Sequence, residues 1–323
     1  MGVFMNILVV IDKVEYKYFE FNDLVTNFWI IKQLAKSNVV HITTINSLSL
    51  KGQHAYAQCN KVHIAGEDIV YDKNLIEMLI DDFELVLFRP DPPVDNNYIN
   101  ATYIFDFVKR AKVVNSPVAI RNFNEKLHSL YFQEYMPETL VSSSLTEIEG
   151  FLDVQREIIL KPLDKCFGSG VFYLKSGDKN TRSIINTVTA NQTNFVMVQR
   201  YLPQGIKGDK RVLTLGNSVL EYCIVKHSTK DDFKFNTHSM DYISKGVLTK
   251  DESVAFGKVA QKLSDMGILM AGLDVIDGKI IEINVTSPCY FIKEINSFYG
   301  IHLEEDICNY LLTNSCYKAE NVV

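Results

Sequence analysis

GLDVIDGKIIEINVTSP, residues 272–288, is the stretch on which the reading of the whole chain turns. Two runs rich in Ile and Val flank Asp277-Gly278, a dipeptide suited to a hairpin turn because both positions tolerate positive φ. Three polar residues interrupt the apolar text: Asp274, Glu282 and Asn284. Side chains alternate along a strand, so Glu282 and Asn284, two apart, share a face. Where Asp274 points depends on the turn. A two-residue loop pairs Ile276 with Lys279, sets Asp274 opposite Ile281 and turns it to the wrong face. A three-residue loop, Ile276-Asp277-Gly278, pairs Val275 with Lys279 and places Asp274 beside Ile280, on the face of Glu282 and Asn284. Two carboxylates and an amide on one face are hard oxygen ligands, suited to Mg²⁺ bound partly through substrate phosphates. The alternative is a polar sheet face in water. Apolar residues on both parities argue against it, because they imply burial on both sides, where unpaired carboxylates are costly.

A metal that holds phosphates calls for cations. Lys161 closes the apolar run EIILKPLD, Lys126 sits in RNFNEKL, and Asp209, Lys210 and Arg211 crowd into GIKGDKRVL. Each alone reads as an ordinary surface residue or mixed-charge loop. DKCFGSGVF, residues 164–172, carries Gly168 and Gly170 but lacks the G-K-[ST] ending of a Walker loop, so by itself it reads as a turn.

The wider chain agrees with a globular enzyme. Its 323 residues are 47% hydrophobic and 22% charged, enough for two or three domains with a large core. A net charge of −6 disfavours a nucleic-acid surface. No apolar run reaches the ~18 residues of a membrane helix. MGVFMNILVVIDK reads as an opening buried strand and not as an export signal. The six cysteines are scattered without C-x-x-C spacing, as in a reduced cytoplasmic protein, and the seven histidines show no pairing.

Strand–helix alternation in the first third predicts an α/β unit with a parallel sheet: strands at 6–12, 39–45 and 84–90, and helices at 23–38 and 74–82. No G-x-G-x-x-G follows the first strand, which disfavours a dinucleotide site there. A helix is expected at 124–135, and Ser144 with Glu147 reads as a capping box for another. From residue 157 the text is rich in strands, with hairpin-type turns at Gly177-Asp178 and Gly216-Asn217. A second capping box, Thr249 with Glu252, opens a helix ending at Gly267. This part is expected to be α+β with largely antiparallel sheets.

Taken together, RNFNEKL, IILKPLD, VQRYLP, GDKRVL and GLDVIDGKIIEINVTSP follow the order and spacing of the bacterial glutathione synthetases, which are ATP-grasp ligases. FRPDPPVD followed by NATYIF resembles the same family, and the likeness runs from about residue 5 to 312. The resemblance implies an N-terminal α/β substrate domain at 1–122, an ATP-grasp region at 123–316 and a tail at 317–323. Within that region, 123–198 would be the lid and ATP-binding part and 199–316 the catalytic, metal-binding part. It implies that γ-glutamylcysteine, activated by ATP as an acyl phosphate, is joined to glycine to give glutathione, ADP and phosphate.

By the same resemblance, Lys126, Lys161, Gly168, Gly170, Asp209 and the run Gln199, Arg200, Tyr201 and Leu202 bind ATP. Asp274, Glu282 and Asn284 hold Mg²⁺, with Mn²⁺ as a substitute. Arg211 and Lys161 are catalytic; Arg89, Lys226, Lys234, Asn236 and Ser287 bind the acyl and amine substrates. It further implies a cytoplasmic homo-oligomer, a tetramer, without nucleic-acid or membrane partners. Two stretches depart from the family. Lys165, Cys166 and Phe167 stand where small residues are usual, and Lys226 and Lys234 where arginines are. These departures keep two alternatives in play: an ATP-grasp ligase with another substrate, and a non-catalytic nucleotide-binding relative.

Overall fold

The computed structural model describes residues 4–11, 23, 25–166, 168–228 and 242–314. Lys234, Asn236, Phe167 and the expected tail lie outside them. In the first part, β1 (Asn6–Ile11), α1 (Thr26–Ala35), β2 (Val39–Thr44), β3 (Leu48–Lys51), β4 (His54–Ala65), β5 (Asp68–Tyr71), β6 (Ile76–Leu79), β7 (Leu85–Phe88), α2 (Asn96–Ile104), β8 (Lys112–Val114) and α3 (Pro117–Arg121) follow one another. Next come β9 (Thr139–Ser142), α4 (Leu145–Gln155), β10 (Glu157–Pro162), β11 (Phe172–Lys175), α5 (Thr181–Val188) and β12 (Val196–Arg200). The last part holds β13 (Asp209–Leu215), β14 (Ser218–Lys226), β15 (Ile243–Lys245), α6 (Lys250–Asp265), β16 (Met270–Ile276), β17 (Lys279–Asn284), α7 (Ile292–Tyr299) and α8 (Leu303–Thr313). No helix among the described residues is long and apolar enough to cross a membrane.

The first sheet runs β3-β4-β2-β1-β7-β8, with β5 and β6 also paired to β4. Its centre is parallel, as expected. Consecutive residues Ile7 to Ile11 are all buried, the mark of a central strand covered on both faces. One face packs on α1 and α8 through Phe28, Ile31, Leu34, Ile307 and Leu311; the other meets α2 through Leu8, Val10, Phe88 and Tyr98. Residues 48–79 add an antiparallel arm, and this corrects the helix expected at 74–82. There the chain forms β6 and then a 3-10 turn at Ile80–Asp82. The open edge of β4 captures the segment, and Glu77 faces Gln58 across the ladder and bonds it at 2.8 Å. Tertiary pairing outweighs a short segment's helical pattern.

The other two sheets are antiparallel in every pair, ordered β11-β10-β12-β9 and β15-β14-β13-β16-β17. Three local expectations are corrected. The helix expected at 124–135 is 3-10 at Leu127–Tyr135 and breaks at Phe132; the Ser129 hydroxyl bonds the Lys126 carbonyl, competing with the regular ladder. Gly177-Asp178 leads from β11 into α5 and makes no hairpin. Ser144 caps the Glu147 N–H, but the Glu147 carboxylate turns to Ser142, so that box is half formed. Thr249 and Glu252 form both bonds of theirs, and Gly267 ends α6 at φ +84°.

Asn115, just past β8, stitches the first sheet to the third. Its amide nitrogen donates to the carbonyls of Met270 and Val285 at 2.7 and 2.8 Å, and its oxygen accepts from Leu269 and Met270 N–H at 2.9 and 2.8 Å. Every hydrogen-bonding position of the amide is thus used.

Candidate active site

The register of β16 and β17 resolves the ambiguity left by the sequence in a third way. The turn has two residues, Asp277 at φ +51° and Gly278 at φ +71°, and pairs Ile276 with Lys279 and Val275 with Ile280. Asp274 then pairs with Glu282, because Ile281 is an extra residue in a bulge. One inserted residue exchanges the faces of everything beyond it. Asp274, Glu282 and Asn284, opposite Gly272, therefore come to a common face despite the short turn. The bulge also releases the Ile281 carbonyl, which accepts from Lys161 Nζ of β10 at 3.2 Å.

Neighbouring strands supply the cations. Arg211 on β13 pairs with Asp274 in the ladder and grips it in bidentate fashion, Nε to Oδ1 at 2.8 Å and Nη2 to Oδ2 at 3.2 Å. Lys226 on β14 stands opposite Asp209 and bridges Asp209 Oδ2 at 2.6 Å and Asp274 Oδ1 at 2.8 Å. Lys126 reaches Glu282 at 3.4 Å and the carbonyl of Lys165 at 2.6 Å. Asp209, Arg211, Lys226, Asp274, Lys126 and Lys161 are all buried. Here a polar group survives only with partners.

The electrostatics follow from that burial. Burial raises the Asp209 pKa, Asp274 adding to the effect and Lys226 and Arg211 opposing it. Burial acts to raise Asp274 too, but Arg211 and Lys226 hold it below the usual carboxylate range. Burial lowers Lys161, with Glu282 opposing. Burial acts against the charge on Lys226 as well, yet Asp209 and Asp274 leave its pKa raised.

Three residues that sequence reasoning missed shape the site. Gly272 clears the ground for Arg211: a Cβ there would lie 2.6 Å from Arg211 Nη1. A glycine inside an apolar strand signals such close approach, so this one was findable. Glu125 Oε1 accepts from the N–H groups of Val285 and Thr286 at 2.7 and 3.0 Å and from the Thr286 hydroxyl at 3.1 Å, fixing the chain just past Asn284 beside Lys126. Burial, then Glu282, raises its pKa. Tyr290, fully buried, donates to the Thr214 carbonyl. Neither Glu125 nor Tyr290 carries a local sequence signal, because their partners are distant in the chain.

The remaining expected residues fall into three groups. Gly168 and Gly170 have φ of +69° and +70° and shape the loop after β10, whose Lys165 carbonyl holds Lys126. Gln199 is buried at the end of β12, Arg200 pairs with Glu138, and the Tyr201 ring meets Tyr173 edge-on at 4.8 Å; Leu202 is buried just beyond. Arg89 lies apart from the Asp274 cluster, buried where β7 meets the loop after β17, with Nε on Asn27 at 2.6 Å and Nη2 on the Pro288 carbonyl at 3.0 Å. Burial lowers its pKa. Ser287 in that loop donates to Asp91. A cavity of about 550 Å³ lies elsewhere, at the start of α6. Its lining includes Lys210 and Val275, which alternate with Asp209, Arg211 and Asp274 and so face the other side of the sheet; Lys210 there is paired with Glu252 at 2.7 Å.

The three oxygen donors fit a hard divalent ion. Asn284 Nδ2 donates to Gly272 O at 3.3 Å and Asp274 Oδ2 at 3.1 Å, which leaves the amide oxygen for a ligand. With only two carboxylates gathered, the set suits an ion that takes its other ligands from phosphates. Two antiparallel sheets that meet at such a cluster, one bringing a glycine-containing loop and a buried lysine, define an ATP-grasp ligase. A solved ATP-grasp ligase, PsnB, complexed with a precursor variant, Mg and ADP, superposes with a TM-score of 0.58 at 14% identity, over 95% of this chain and 97% of that one.

Family models make the class specific. The prokaryotic glutathione synthetase N-terminal domain matches residues 5–121 and the corresponding ATP-grasp domain residues 125–300. The chain belongs to the prokaryotic glutathione synthetase family. The glutathione synthetase of Synechococcus elongatus is 38% identical over 69% of each chain, and that of Nostoc is 32% identical over 85% of this chain and 88% of its own.

Proposed function

We propose that the protein is a glutathione synthetase, an ATP-dependent ligase that joins glycine to the cysteinyl carboxylate of γ-glutamylcysteine. The observation that carries this reading is the face shared by Asp274, Glu282 and Asn284 with Arg211, Lys226, Lys126 and Lys161 around it. In the first step a carboxylate oxygen attacks the γ-phosphorus of ATP, the bond to the bridging oxygen breaks and ADP leaves. In the second the glycine nitrogen attacks the acyl carbon and loses a proton, the carbon–oxygen bond breaks and phosphate leaves. Both steps crowd negative charge, so positioning and cationic stabilisation are the enzyme's main contributions.

Lys126 and Lys161 bind phosphate oxygens, and Gly168 and Gly170 let the loop approach them closely. Arg211 stabilises the transferring phosphoryl group and the tetrahedral intermediate. Gln199 to Leu202 border the adenine and Asp209 the ribose. Arg89, Lys226 and Ser287 bind the peptide and amine substrates, and by sequence position Lys234 and Asn236 belong to the same set. Mg²⁺ held by Asp274, Glu282 and Asn284 would shield the phosphates and polarise them. Residues 1–122 form the substrate unit, 123–198 the lid and 199–316 the catalytic unit. We place the enzyme in the cytoplasm as a homo-oligomer.

The test is ADP release from the purified protein with Mg-ATP and γ-glutamylcysteine. Release should depend on glycine and vanish in Glu282→Gln and Lys161→Ala while both variants keep the native melting temperature. Release with some other amine or acid, and none with glycine, would overturn the substrate assignment; full turnover in either variant would overturn the site.

A further inference from the structure

Asp274 is saturated. Its Oδ1 accepts from Arg211 Nε and Lys226 Nζ, each at 2.8 Å, and its Oδ2 from Arg211 Nη2 at 3.2 Å and Asn284 Nδ2 at 3.1 Å. A carboxylate offers about four lone-pair sites, and here all four are taken. A divalent ion that coordinates Asp274 must therefore displace a donor.

The three donors are not equally free to leave. Arg211 is held by a planar two-point grip, with Gly272 leaving its guanidinium just enough room and the Phe291 ring 5.9 Å away. Asn284 bonds Oδ2, beside Arg211 Nη2 and not the Oδ1 that Lys226 shares, and is itself one of the expected metal ligands. Lys226 alone already has a second carboxylate, Asp209, at 2.6 Å. An ammonium on a flexible stem can give up one bond and keep another, where a guanidinium's donors are fixed in one plane.

We propose that Lys226 is an exchangeable counter-ion for the metal carboxylate. It neutralises Asp274 while no metal is bound and withdraws onto Asp209 when a divalent cation takes Asp274 Oδ1. Lys226 then opposes metal binding in the absence of nucleotide, and Asp209 sets how readily it lets go. A lysine makes this exchange easier than an arginine, with its fixed planar fork, would. The inference rests on the metal assignment above, and the experiment separates the two.

The measurement is nucleotide-free Mn²⁺ binding to the full-length protein, followed by electron paramagnetic resonance, with thermal melting to confirm folding. Lys226→Met should bind Mn²⁺ about tenfold tighter, a loss of one charge-assisted competitor. In an Asp209→Asn background, where Lys226 has nowhere to withdraw, the same substitution should tighten binding about a hundredfold. Equal effects in the two backgrounds would reduce Lys226 to a distant positive charge and overturn the exchange, as would no effect in either. Lys226→Gln serves in the same cycle if the methionine variant does not fold. Asp274→Asn placed on Lys226→Met should abolish binding; Mn²⁺ affinity that survives it would overturn the metal assignment itself.

Discussion

Hairpins β13–β14 and β16–β17 lie side by side in the third sheet, and both turn on two residues, Gly216-Asn217 and Asp277-Gly278. Both then slip, by different amounts. In β17 one residue, Ile281, is extra. In β14 the pairing jumps from Thr214–Val219 to Val212–Cys223, so three residues of β14 answer one of β13 and two are extra. A slip of one exchanges faces, whereas a slip of two only slides the strand along its partner. The first brings Glu282 to the face of Asp274. The second leaves the faces alone and carries Lys226 to a place opposite Asp209. Two kinds of irregularity thus assemble one site: one selects the face, the other the position.

The largest expected effect lies where the hairpins touch. Gly272 of β16 pairs with Leu213 of β13 on one side and Asn284 on the other. Gly272→Ala should push Arg211 out of its bidentate grip and lower kcat about 100-fold, the scale of losing one preorganised stabilising group. Gly257→Ala, inside α6 with nothing within 4 Å, is the control. It should leave kcat unchanged and stabilise the protein by about 0.5–1 kcal/mol, measured by denaturant unfolding. An equal loss of activity in both variants would remove the role given to Gly272.

A smaller effect is expected from deleting Ile281. The ladder then becomes regular and still sets Glu282 opposite Asp274, so nucleotide-free Mn²⁺ binding should persist. What disappears is the free carbonyl that holds Lys161. A fall in kcat of about tenfold should follow, the scale of one hydrogen bond to a charged group. Loss of Mn²⁺ binding would mean that the bulge does more than select a face.

Much of this arrangement was legible in the sequence, and the unread part has physical causes. Buried strands and α6 announce themselves through apolar runs and a capping box, and Asp274, Glu282 and Asn284 stand out because they interrupt apolar text. The bulge does not, since Ile281 looks like any strand residue and its being surplus shows only against a partner strand. Glu125 is silent for a similar reason, the Val285 N–H that donates to it lying 160 residues away. β6 does not declare itself either, because LIEMLI alternates too little for either period to win until β4 offers an edge.

The smallest effect on chemistry belongs to the other hairpin. Deleting Leu220 and Glu221 together removes the two extra residues of β14, and Lys226 should still arrive opposite Asp209, because an even change preserves every face. Glu221 is exposed, but Leu220 is half-buried against the main core, so stability falls by about 1–3 kcal/mol. Thermal melting should show a drop of about 5 °C while kcat stays within about twofold of the parent. Deleting Leu220 alone should do the reverse of this double deletion where it matters. An odd change turns Lys226 away from Asp209 or shifts the slip elsewhere in β14, and turnover falls further even though less chain is lost. If the single and double deletions proved equally active, parity would not be what places Lys226, and the contrast between the hairpins would lose its meaning.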